Sequence, residues 1–127
     1  MDKDRTLTSE LGGIHIDDEV VTIIAGLAAT EIEGVAGMSG GFAGGIAEAL
    51  GRKNLSKGVK VEVAGQEVTV ELFLIVEYGF RIPDVAWKVQ DKVKKAIQTM
   101  AGLTVTNVNI HVQGVSFPQE NDSGGEE

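Results

Sequence analysis

Between Val59 and Tyr78 the chain alternates in side-chain character almost without a break. Val59, Val61 and Val63 point to one side, and Lys60, Glu62 and Ala64 to the other. After Gly65-Gln66, Val68, Val70, Leu72, Leu74 and Val76 share one face, opposite Thr69, Glu71, Phe73, Ile75 and Glu77. Successive side chains of a strand face opposite ways, so a period of two over this length predicts a β-hairpin with one buried face. The other face is less polar than a purely solvated one, because Phe73 and Ile75 sit on it. Exposed apolar patches mark contacts. Either the glycine-rich segment covers this pair or a second subunit does, and the subunit contact is the favoured reading.

The rest of the chain reads as cover for the hairpin. Leu11–Ile16 predicts a short strand with Ile14 and Ile16 inward and His15 outward. Asp17 or Asp18 then caps a helix running to about Glu33, where Gly34 stops it. Val20, Ile23, Ile24, Leu27 and Ile32 lie mostly along one side of it, and Ala25, Gly26, Ala28 and Ala29 keep the remainder narrow. Pro83 suits the first turn of a second helix, which continues to about Ala101. Val85, Val89, Val93, Ile97 and Met100, with Ala86 and Ala96, form its apolar stripe; lysines dominate the wet side. Trp87 lies off the stripe, either packing at the helix–sheet edge or anchoring a partner, since tryptophans are enriched at interface hot spots. Gly102 ends the helix. Thr104–Gln113 alternates again, with Val108, Ile110 and Val112 inward and Asn107, Asn109, His111 and Gln113 outward; Val115 and Phe117 fall out of phase, which predicts a bulge near Gly114.

These elements predict an α+β fold: a two-layer sandwich in which a small mixed β-sheet of three or four strands carries two main helices on one face. The last strand–helix–strand unit should cross over right-handedly. A single domain is expected over 11–118, with a flexible tail over 1–10 and a disordered acidic tail over 119–127.

Gly34–Gly45 is the glycine-rich stretch, with Gly37, Gly40, Gly41, Gly44 and Gly45 as the candidate loop residues. It has neither a G-x-G-x-x-G nor a P-loop lysine, so an irregular connector is the simpler reading and a ligand-binding loop the sharper one. Ile46–Leu50 predicts a short helix. Arg52, Lys53 and Lys57 make a basic cluster read as a solvated loop.

Several functions are disfavoured by composition. The net charge of −8 opposes both phosphate-backbone binding and docking on anionic lipid. With no cysteine, disulfides and thiolate metal sites are excluded, which fits a reducing compartment. The longest apolar run, Val20–Ala29, falls far short of the roughly 20 residues that cross a bilayer. The polar N-terminus is no signal peptide, so the expected location is cytoplasmic. His15 and His111 are the only histidines, no serine lies in an elbow motif, and no carboxylate pair stands out for acid–base work. His111 with Asn107, Asn109 and Gln113 offers one good metal ligand, too few for a site. No enzyme activity, cofactor or metal is expected. Phe73, Ile75, Trp87, Asn109 and His111 are the candidate interface residues.

Gly13-Ile-His-Ile16 leading into Asp-Asp-Glu-Val-Val-Thr-Ile-Ile-Ala-Gly-Leu-Ala-Ala, Glu33-Gly-Val-Ala-Gly-Met38, Gly58-Val-Lys-Val61, Ile75-Val-Glu-Tyr-Gly79, Ile82-Pro-Asp-Val-Ala-Trp-Lys-Val-Gln90 and Val108-Asn-Ile-His-Val-Gln-Gly-Val115 occur in order along the chain. Together they resemble the alkaline shock protein family, also called the general stress protein family, of Gram-positive envelope stress response proteins. The resemblance covers about Leu11 to Phe117. It implies a small non-enzymatic cytoplasmic protein; some members self-assemble, and some are held at the membrane by a separate membrane-anchored partner protein, so a homo-oligomer is expected. Other branches are linked to lipid metabolism, so regulation of lipid-synthesis enzymes through protein contact is the alternative. The charge and the short apolar runs lead to the expectation of no nucleic acid and no direct membrane insertion, and the resemblance supplies no catalytic residue.

Overall fold

The computed structural model describes residues 6–39 and 57–117. The order of elements is β1 (Thr6–Ser9), β2 (Gly12–His15), α1 (Asp18–Thr30), β3 (Val35–Met38), β4 (Val59–Ala64), β5 (Glu67–Glu77), α2 (Ile82–Ala101) and β6 (Thr104–Ser116).

The predicted hairpin is the centre of the sheet. β4 pairs antiparallel with β5 from Val59↔Leu72 to Ala64↔Glu67. The five even-numbered residues Val68, Val70, Leu72, Leu74 and Val76 are at most 1% exposed. Burying each such aliphatic side chain stabilises the fold by about 1.5–3 kcal/mol relative to exposure, so this one strand face contributes more apolar burial than any other. β6 runs parallel to β5 along its whole length, from Glu67↔Thr104 to Glu77↔Ser116. The strand–helix–strand unit β5–α2–β6 therefore makes the sheet mixed, as the sequence predicts. The bulge expected near Gly114 is present, since the register slips between Leu74 and Ile75; a second slip occurs between Val68 and Thr69. There Thr106 Oγ1 donates to Val68 C=O at 3.2 Å, filling a place the ladder leaves open.

The glycine-rich stretch was expected to be irregular, but its first part is a strand. β3 pairs antiparallel with β5 at Val35↔Val76 and Met38↔Leu74, with a bulge between Val35 and Gly37. β3 and β4 share the same edge of β5, one after the other. The changeover falls at Phe73: its N–H donates to Gly58 C=O and its C=O accepts from Ser39 N–H, both at 2.8 Å. Gly58 has φ 76°, and a Cβ there would lie 2.8 Å from Ser39 O and 3.1 Å from Phe73 O, so only glycine fits this crowded junction. Gly40, Gly41, Gly44 and Gly45, the short helix expected over Ile46–Leu50, Arg52, Lys53 and the tail 119–127 lie outside the described residues.

Both helices cover one face of the sheet. α2 follows its predicted stripe: Val85, Val89, Val93, Ile97 and Ala101 are at most 4% exposed. Met100 is an exception, 69% exposed, because the last turn rotates Ala101 rather than Met100 toward the sheet. Gly102 closes the helix in the left-handed conformation, φ 72°.

α1 departs from its expected face. It ends at Thr30 rather than Glu33, and Gly34, with φ 102°, lies instead in the turn just before β3. The buried side is the small one, Val21, Ile24, Ala25, Gly26, Ala28 and Ala29, while Val20 and Leu27 are 45% and 44% exposed. α1 lies beside α2, and small residues let the two backbones approach; Lys92 and Glu31 form a 3.1 Å ion pair across the seam. Asp17 occupies the N-cap position without a side-chain cap bond, and Asp18 and Glu19 supply the favourable first-turn charge.

The expected N-terminal tail over 1–10 is partly a strand. β1 pairs antiparallel with β2, Thr6↔His15 to Ser9↔Gly12, as a two-stranded ribbon separate from the main sheet. Ile14 was expected inward; with no sheet for β2 to join, it is 57% exposed.

Candidate interaction surface

The second face of the sheet carries neither helix. Register places its side chains in rows. Lys60, Glu71 and Asn109 are neighbours across three strands, and Phe73 adjoins His111 in the next row. A parallel register sets residues of like parity side by side, which is why four of the predicted contact residues, Phe73, Ile75, Asn109 and His111, come together here.

Phe73 is half-buried by its neighbours rather than by a second layer. The His111 ring stacks on it with centroids 4.6 Å apart and planes 12° from parallel. Lys60 Nζ sits 5.8 Å from the Phe73 ring centroid, a cation–π contact contributing about 0.5–1 kcal/mol at an exposed site. Glu71 Oε1 lies 3.6 Å from His111 Nε2. Ile75 lies over Gly114: a Cβ at that glycine would come within 3.1 Å of Ile75 Cδ1. Ser39 Oγ donates to Gln113 Oε1 at 2.7 Å, tying β3 to β6 across the back of β5. The surface is thus an apolar pair set in a rim of paired polar groups.

Trp87 is not part of it. It lies in the other layer, 59% exposed on α2. With Gln90, Asp91 and Lys94 it lines a groove of about 320 Å³ against Val105–Val108. A third patch escapes sequence reading. Tyr78 and Phe117, 62% and 48% exposed, stack at 5.1 Å beside Val115 at the C-terminal end of the sheet. The break of phase after Gly114 is its only sequence signal. Gly37 sits in β3 opposite Ile75, in the sheet rather than in a loop.

Among the described residues no group of three or more His, Cys, Asp or Glu side chains is placed to hold a metal. Among them also, no helix is long and apolar enough to cross a membrane. Fold and surface together define a small two-layer α+β domain whose second sheet face is left open by the described residues.

The chain belongs to the alkaline shock protein 23 family, whose function is described as cell envelope-related, and residues 6–117 carry the match. Relatives extend over most of the chain. The uncharacterized protein YqhY of Bacillus subtilis (strain 168) is 40% identical over 109 residues, 86% of this chain and 81% of its own length. YloU of the same organism is also 40% identical, over 86% of this chain and 92% of its own. A stress response regulator gls24 homolog of Streptococcus pyogenes serotype M6 is 30% identical over 91% of this chain and 66% of its own length.

Proposed function

We propose that the chain is a non-enzymatic interaction protein of the cell-envelope stress response and acts by self-association. The observation that carries this reading is the helix-free sheet face, where Phe73 and Ile75 sit half-buried inside a polar rim. A second copy is the occupant. The face offers Lys60 beside Glu62 and Glu71, both signs of charge in one patch, which suits a self-complementary contact. Family membership supports the cell-envelope setting. Any location at the membrane runs through an anchored partner protein rather than through a span of the described residues.

Light scattering at several concentrations tests the self-association. The wild-type mass should rise with concentration, and Phe73→Ser/Ile75→Ser should lower it. A strict monomer, unaffected by that double substitution, refutes the reading. Steady turnover of a small molecule by the purified chain refutes the non-enzymatic part.

A further inference from the structure

Among the described residues, the outer edge of β6 pairs with no other strand. β6 spans 13 residues and pairs only with β5. Its first half is closed by α2. Gln98 Oε1 accepts from Val105 N–H at 3.3 Å, and Gln90 Nε2 donates to Val108 C=O at 2.9 Å. The second bond fixes the direction: Val108 turns its carbonyl away from β5. The two-residue repeat then turns the N–H and C=O of Ile110 and Val112 outward as well.

Edge strands are usually guarded against pairing by charge or proline. Thr104–Ser116 contains no Asp, Glu, Lys, Arg or Pro, in a chain that is 24% charged and carries a net −8. The guards present are the two glutamines of α2, and they stop at Val108.

We propose that the open half of this edge pairs with the same edge of a second copy, antiparallel, with the two-fold axis beside His111. Self-complementarity selects the occupant. Two copies with a net −8 repel each other, and β6 itself brings no Asp, Glu, Lys or Arg to the contact. Side-chain chemistry selects the register. With the axis at His111, Asn109 of one copy faces Gln113 of the other, and Ile110 faces Val112, each twice by symmetry. Side-chain amides both donate and accept. Ser39 Oγ already occupies Gln113 Oε1 at 2.7 Å, which leaves the Gln113 amide N–H to donate to Asn109 Oδ1 of the partner copy. Ile110 and Val112 form the hydrogen-bonded pairs. The two His111 residues form the closer pair without backbone bonds, bringing both Phe73–His111 stacks together across the axis. This rests on the self-association reading and assigns its first contact to the edge, leaving the open face for further copies.

Charge substitution tests the register, since like charges directly opposite across strands repel. Asn109→Lys/Gln113→Lys sets like charges face to face at two places and should weaken the dimer by about tenfold or more in light scattering. Asn109→Lys/Gln113→Glu sets opposite charges there and should restore association to within about threefold of wild type. Both pairs change exposed side chains only, and thermal unfolding should confirm an intact fold. The chain has no cysteine, so His111→Cys introduces a single thiol. Facing Cα atoms about 4.5 Å apart are within disulfide reach, and mild oxidation should give a covalent dimer, while Lys94→Cys should not. Association that survives Asn109→Lys/Gln113→Lys but is lost in Phe73→Ser/Ile75→Ser overturns the edge pairing and leaves the open-face reading standing. A wild-type chain that stays monomeric overturns both.

Discussion

Leu72 and Phe73 are consecutive residues on one strand, and the fold assigns them opposite duties. Leu72 is fully buried under the helices; Phe73 is half-buried on the open face. Truncating Leu72 to alanine removes three carbons from the core, about 2.4 kcal/mol of transfer free energy at about 0.8 kcal/mol per methylene. The void left adds up to about 2 kcal/mol if the surroundings do not close, at about 24 cal/mol per Å³ for roughly 80 Å³. The expected loss is therefore about 3–4 kcal/mol. Truncating Phe73 forfeits the His111 stack and the Lys60 contact but opens no cavity, so the expected loss is about 1 kcal/mol. For a domain of this size each kcal/mol moves Tm by roughly 4 °C, so Leu72→Ala should melt roughly 12–16 °C lower and Phe73→Ala roughly 4 °C lower. Urea unfolding followed by circular dichroism measures both. It should be repeated at several protein concentrations, because association adds to apparent stability. Equal losses for the two variants, or a Leu72→Ala loss under about 1 kcal/mol, would refute the assignment of faces.

Gly58→Ala should destabilise by about 1–2 kcal/mol from its positive φ, and by more if the Ser39 and Phe73 carbonyls cannot move aside; urea unfolding reads this, and a neutral result contradicts the junction described. Met100→Ser, at an exposed site, should change stability by less than about 0.5 kcal/mol, whereas Ile97→Ala, one turn away and buried, should cost about 2–5 kcal/mol. A double-mutant cycle on Glu31 and Lys92 should give a coupling below about 1 kcal/mol that fades with added salt, since both side chains are about half exposed. Trp87 is the chain's one tryptophan, and its fluorescence should be readily quenched by iodide; a shielded signal would mean that something covers the α2 groove.

The parts of the fold legible in the sequence are those where one physical rule governs a long run. Val68 to Val76 alternate because one face is packed and the other is not, so parity alone gave both the buried row and the outer row. The α2 stripe from Val85 to Ile97 follows helical periodicity for the same reason. Legibility fails where bulk and burial part company. On α1, large residues such as Val20 and Leu27 were expected inward, but the neighbouring helix demands small ones, and Ala25, Ala28 and Ala29 take the core. β3 was hidden because Gly37 blurs the alternation of a four-residue strand. β2 falls within the strand predicted over Leu11–Ile16, but its partner β1 was hidden because their pairing is local and buries little that periodicity could reveal. For the site, parity brought Phe73, Ile75, Asn109 and His111 together, and the place of Trp87 on the second helix already set it in the opposite layer. The lack of charge across β6 is plain in the sequence. Its meaning appears only when topology makes that strand an edge.

Ser39 and Gly58 both bond to the backbone of Phe73, so the intervening chain departs from and rejoins the sheet at a single point. A change that disturbs the backbone of Phe73 therefore loosens the end of β3 and the start of β4 together, and amide exchange at Ser39 and Phe73 should rise in step.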